Sequence, residues 1–206
     1  MHLLNKALNS YVKARTEEFD QISDERKDTL NLIVEYIKSK IDLQESAQMV
    51  CICTHNSRRS HFAHIWAQIA AYHFGFEKVQ VFSGGTEATA FNPNAVNAIQ
   101  RSGFEVEVLK TGENPLYELK FNDQNEGIKC FSKEYDHEEN PKTKFLALMV
   151  CSDADANCPF IPLAEKRVSL PFLDPKLSDG SAEQDKVYDE RCAQIAREML
   201  FAFSKI

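Results

Sequence analysis

The chain has 206 residues, with 24 Lys and Arg against 31 Asp and Glu for a formal charge of −7. That length suits one substantial domain with a small appendage. A 43% hydrophobic and 27% charged composition is that of a folded globular protein. The acidic balance excludes a general binder of nucleic acid or of anionic membrane, whose footprint is basic. No apolar run approaches the ~20 residues that span a bilayer. The opening MHLLNKALNSYVKARTEEF lacks the apolar core of a secretory signal. A cytoplasmic protein is therefore expected, and its six cysteines (51, 53, 130, 151, 158 and 192) are expected to be thiols rather than a disulfide framework.

Residues 1–46 read as a helical extension. Leu3, Leu4, Leu8, Tyr11 and Val12 recur at helical spacing, as do Leu30, Ile33, Val34, Ile37 and Ile41. The break falls near Gln21–Ser23, where Ser23 and two acids form a helix start. The segment has no Gly, Pro or Cys, so it is expected to pack on the core, on a partner, or on a second copy of the chain. Residues 47–206 form the expected catalytic domain. It opens with a buried strand, Met49–Cys53, then a polar loop, Thr54–Ser60, and a helix to Phe74 closed by Gly75. A second strand, Val79–Phe82, leads to Ser83-Gly84-Gly85. A helix starting at Asn92-Pro93 stops at Gly103.

Residues 106–144 differ in texture and read as an insert. The runs Leu116–Phe121 and Gly127–Phe131 around a polar turn predict a hairpin. Phe145–Val150 and Val168–Leu170 are the third and fourth strands, and Ala182–Ser204 is a long amphipathic helix. The alternation predicts an α/β fold with a central, mostly parallel four-stranded sheet. Sites in such sheets lie at the carboxyl ends of the strands, which makes Cys53 and Cys151 candidate neighbours.

The segment Cys53-Thr54-His55-Asn56-Ser57-Arg58-Arg59-Ser60 carries the chemistry. A loop between a strand end and a helix start turns backbone N–H groups inward and adds the helix dipole, which makes an anion cradle. Arg59 supplies a planar fork suited to two oxygens of a tetrahedral oxyanion. Cys53 is the nucleophile beneath the anion, and Ser60 is placed to donate to its sulfur. Against the chain's −7, this loop has two arginines and no acid, so anion binding is expected to be local.

CTHNSRRS resembles the signature loop of low-molecular-weight protein tyrosine phosphatases and of the thioredoxin-coupled arsenate reductases that share their fold. Val81-Phe-Ser-Gly-Gly-Thr86, Asn92-Pro-Asn-Ala-Val-Asn-Ala98 and Leu173-Asp174-Pro175 resemble further family segments. The resemblance covers about residues 47–206 without the insert. It implies a three-layer, flavodoxin-like fold, an oxyanion site built from residues 54–60, a strut role for Asn56 and a general-acid role for Asp174. Cys151-Ser-Asp-Ala-Asp-Ala-Asn-Cys158-Pro159 is similar to the segment bearing the second and third redox cysteines of the reductases. The implied reaction is arsenate reduction by a Cys53–Cys151–Cys158 relay, with the polar stretch between the last two cysteines serving as a flexible linker. Thioredoxin is the implied external dithiol, and no tightly bound cofactor is implied.

Three departures stand out. His55 replaces a common Gly. Arg58 replaces a small residue or Cys and is expected to face solvent or add positive potential. His64 stands where the reductases carry a Glu linked to potassium, so potassium is not carried over. Cys51, Cys130 and Cys192 fall on apolar faces and read as core residues, as do Phe62, Ile65 and Trp66. A zinc site among Cys51, Cys53, Cys151, Cys158, His55, His61 and His64 is weakly supported without a close Cys pair, and no metal ligand is assigned. Two alternatives stay open: a tyrosine phosphatase acting through a Cys53 phosphoenzyme, and a redox-sensing docking protein without turnover.

Overall fold

The computed structural model describes residues 3–157 and 160–206, and the side chain of Asn157 is also left undescribed. Helix α1 (Lys6–Thr16) is capped by the Asn5 side chain and α2 (Asp24–Asp42) by Ser23, with Asp24 and Glu25 in the first turn. The turn between them, Phe19–Gln21, is a single 3₁₀ turn where the sequence places the break. The apolar stripes of both helices face inward: Leu8, Val12, Leu30, Ile33, Val34 and Ile37 belong to the same buried core as the sheet.

Strand β1 (Ala47–Cys53) is followed by α3 (Arg59–Phe74), β2 (Val79–Gly85) and α4 (Pro93–Arg101). Three strands come next: β3 (Glu105–Lys110), β4 (Leu116–Lys120) and β5 (Ile128–Cys130). Then come β6 (Phe145–Met149), α5 (Ser152–Asn157), β7 (Ala164–Ser169) and α6 (Gln184–Phe203). Strands β2, β1, β6 and β7 form a wholly parallel sheet in that order. Its central strands read as continuous apolar runs because both faces are covered, and every residue of β6 is buried. Helix α6 packs against α1, α2, α3 and α4, so the last helix ties the N-terminal pair to the sheet-covering helices.

The chain runs from β1 out to β2 and returns across β1 to β6, which makes the carboxyl end of β1 the switch point of the sheet. The hairpin in the insert is present as β4 and β5, and β3 adds a third strand, making an antiparallel sheet. Strand β3 lies outside the expected elements although Glu105-Val106-Glu107-Val108 alternates polar and apolar residues, and its side chains are mostly exposed. The Ser152–Asn157 stretch, expected as a flexible linker, is a short helix instead, started by the Asp155 N–H donating to the Cys151 carbonyl. No helix among the described residues is long and apolar enough to cross a membrane.

Candidate active site

The loop after β1 is held from outside through its carbonyls. The Cys53 carbonyl accepts from Thr86 N–H, and the Thr54 carbonyl from Glu87 N–H and the Thr86 hydroxyl. The His55 carbonyl accepts from the Thr89 and Ser132 hydroxyls, and the Ser57 carbonyl from Asn92 N–H. The N–H and C=O of a trans peptide point in opposite directions. With these four carbonyls turned outward, the N–H groups of Thr54, His55, Asn56 and Arg58 face into the loop. The cradle expected from the sequence is thus present as a set of inward donors at the start of α3.

Asn56 holds its shape. It is fully buried with φ +43°, a left-handed conformation that Asn tolerates. Its side-chain carbonyl accepts from Lys133 N–H at 2.9 Å, which fixes the amide's orientation, and its amide donates to Ser60 Oγ at 2.8 Å. Ser60 Oγ lies 3.1 Å from Cys53 Sγ, with its own proton free to point at the sulfur. Gly85 is required by close approach. A Cβ there would lie 2.3 Å from the Glu87 carbonyl oxygen and 2.7 Å from the Asn56 nitrogen. A Cβ on Gly84 would lie 2.3 Å from Tyr135 Cα, so Gly84 lets the insert pack on β2 while Gly85 lets the loop after β1 close against it.

Two arginines leave the loop toward carboxylates. Arg59, buried, binds Asp174 at 2.5 Å and the Phe172 carbonyl at 3.1 Å. Arg58 does not face solvent as expected. Its Nε donates to Tyr188 at 2.6 Å and its guanidinium pairs with Asp179 at 2.8 Å, because α6 brings Tyr188 under the loop. Burial pushes the Asp179 carboxyl up, but the Tyr188 hydroxyl and the Arg58 charge prevail and hold it below the usual range. The same burial and the Asp179 charge push the Tyr188 phenol up to about 12. The loop's positive charge is therefore matched by Asp174 and Asp179, and an incoming oxyanion competes with Asp174 for Arg59. His55 is half-exposed beside Glu87 at 3.5 Å.

Cys151 sits two residues past β6, the neighbour of β1, just after Val150, whose N–H donates to the Ile52 carbonyl. It is buried, with its sulfur 3.4 Å from Thr54 Oγ1 and 3.2 Å from Ala154 N–H. The fold thus brings Cys53, Cys151, Arg59 and Asp174 to one end of the sheet, while Cys158 lies outside the described residues. Ser132 and Lys133, which hold the His55 and Asn56 ends of the loop, come from the insert. No spacing in the sequence ties them to a loop 77 positions away. Cys51 and Cys192 are buried core thiols as expected. A hard cation such as potassium calls for carboxylate and carbonyl oxygens. Position 64 instead offers a buried imidazole whose Nδ1 has no hydrogen-bond partner, beside the Lys133 ammonium, and this donor set does not fit potassium.

No protein-family profile matches the chain. It is 30% identical over 139 residues to arsenate reductase 2 of Staphylococcus epidermidis, covering 68% of this chain and 86% of the relative. It is 32% identical over 140 residues to an arsenate reductase of Staphylococcus aureus, with the same shares covered. The crystal structure of an arsenate reductase from Archaeoglobus fulgidus superposes with a TM-score of 0.50 at 17% identity, covering 76% of this chain and 98% of that one, a likeness of fold. The chain is an enzyme of the arsenate reductase family, built on the low-molecular-weight phosphatase fold.

Proposed function

We propose that this enzyme reduces arsenate to arsenite with Cys53 as nucleophile and Cys151 and Cys158 as a thiol relay. One observation carries the reading: Cys53 ends β1, Cys151 lies two residues past the end of the neighbouring parallel strand β6, and Thr54, which follows Cys53, reaches the Cys151 sulfur. Arsenate takes the inward N–H groups of Thr54, His55, Asn56 and Arg58 and draws Arg59 from Asp174. The Cys53 thiolate displaces an oxygen of arsenate, which leaves as water with a proton from Asp174. Cys151 attacks the Cys53 sulfur. The sulfur–arsenic electron pair stays on arsenic, which leaves as arsenite, and a Cys53–Cys151 disulfide forms. Cys158 attacks Cys151, freeing Cys53, and an external dithiol protein, thioredoxin, reduces the Cys151–Cys158 pair. The thiols call for a reducing compartment, in keeping with a cytoplasmic location.

The same cradle supports a second reading, a phosphatase with a Cys53 phosphoenzyme, because a bound anion that takes Arg59 frees Asp174, at the edge of the site, to protonate the leaving group. A coupled assay with thioredoxin, thioredoxin reductase and NADPH, with and without arsenate, separates the two. Cys158→Ser is expected to stop multiple-turnover arsenate reduction and to spare hydrolysis of p-nitrophenyl phosphate. Undiminished arsenate turnover in that variant removes Cys158 from the mechanism. Phosphate release without arsenate-dependent NADPH oxidation by the unaltered enzyme favours the phosphatase.

A further inference from the structure

Below the cradle, α3 turns two histidines toward the insert. His61 and His64, three positions apart and so on one helix face, meet Cys130 at the end of β5. Their candidate ligand atoms all lie within 4.8 Å of one another, and all three residues are buried. The His61 ring leans on the Asn56 backbone and the His64 ring on the Val81 backbone, but neither nitrogen of His61 nor Nδ1 of His64 makes a well-formed hydrogen bond. A neutral imidazole carries one donor and one acceptor, and buried polar atoms are nearly always paired. One nitrogen from each ring and the Cys130 sulfur therefore converge on one point with no well-formed hydrogen bond to hold them there. His61 stacks on Phe91 at 4.0 Å, which fixes its ring plane.

The donor set selects the ion. One sulfur and imidazole nitrogens are soft-to-borderline ligands, suited to copper or zinc rather than to oxygen-seeking cations. Charge narrows the choice. The Lys133 ammonium acts on His61, His64 and Cys130 alike, and a divalent ion bound to the Cys130 thiolate would leave one net positive charge beside it. A monovalent ion is balanced by the thiolate formed when Cys130 releases its proton to solvent. A cavity of about 720 Å³ between α3, β2 and the insert reaches His64 and Lys133 and provides the way in. We propose that His61, His64 and Cys130 form a buried three-coordinate site for a soft monovalent d¹⁰ cation, copper(I). The sequence separates these ligands too widely to assign it.

The test uses the full chain with Cys53→Ser, Cys151→Ser and Cys158→Ser, so that the redox thiols do not bind the ion. Anaerobic titration with copper(I) against the chelator bicinchoninate is expected to show one tightly held equivalent. X-ray absorption is expected to show one sulfur and two nitrogen neighbours. Loss of a supporting group alone costs about 10–100-fold in metal affinity, so adding Cys130→Ser is expected to weaken binding by at least ~100-fold. His64→Gln, with its fold checked by circular dichroism, gives the same loss and keeps the test decisive if Cys130→Ser does not fold. No binding by the parent, binding that survives both substitutions, or equal uptake of zinc(II) each overturns the proposal.

Discussion

The two strand ends that carry the chemistry are held in different ways. After β1, the chain from Cys53 to Ser60 is fixed by outward carbonyl bonds, by buried Asn56, and by groups from β2, the insert and the segment before α4. After β6, Cys151 enters a helix of six residues. Among the described residues, that helix is tied to the sheet chiefly by Asp155, which accepts from Ser169 Oγ at 2.6 Å and pairs with Arg167. An anion cradle must be preorganised, since its donors act only if they are already aimed. In the proposed relay Cys151 must first wait and then attack, which a short helix started by its own residue allows. The difference teaches that the two strand ends are held independently, so oxyanion binding and the proposed relay can be tested apart.

The largest expected effect removes what both functions share. Cys53→Ser is expected to lower arsenate reduction and phosphomonoester hydrolysis together by on the order of 10³-fold or more. Either activity persisting in that variant means the nucleophile lies elsewhere. Asn56→Ala attacks the pinned end alone, leaving Lys133 N–H and Ser60 without their buried partner. A loss of about 10–100-fold in both activities is expected, in line with ~1–3 kcal/mol for an unsatisfied buried group. Wild-type phosphate affinity in this variant, measured by competitive inhibition, would mean that the loop holds itself.

Between the two ends runs α3, with His61 and His64 kept neutral by burial. Desolvation, aided by Lys133, lowers His64 from 6.5 to about 3 and pushes His61 well below its ordinary value. Below pH ~6.5 the unfolded chain takes up protons that these buried rings refuse. Stability of the metal-free protein is therefore expected to fall as the pH drops from about 6.5 toward about 3, by up to ~1.4 kcal/mol per pH unit per histidine. Urea midpoints at pH 7 and pH 5 check this, and equal midpoints contradict it. The smallest effect sharpens the comparison at the other strand end. Asp155→Ala loosens the Cys151 helix and is expected to slow arsenate turnover by about 2–5-fold, the scale of one net hydrogen bond. It is expected to leave p-nitrophenyl phosphate hydrolysis unchanged, and a parallel loss in both assays would show that the two ends are coupled.

The sequence alone determined the cradle and the sheet that carries it. Strand, loop and helix follow within a few residues there, so the backbone path and the placing of Cys53 and Arg59 are local properties. The apolar runs of β1, β2 and β6 announced buried parallel strands for the same reason. Only the tertiary structure decided what closes around that loop: Asp174 on Arg59, Tyr188 and Asp179 on Arg58, Ser132 and Lys133 on His55 and Asn56. It also showed that Cys130, a buried core thiol as expected, lies against two histidines on α3. Those pairs lie tens of residues apart and leave no periodic trace, because their geometry is set by how the insert and α6 pack on the sheet.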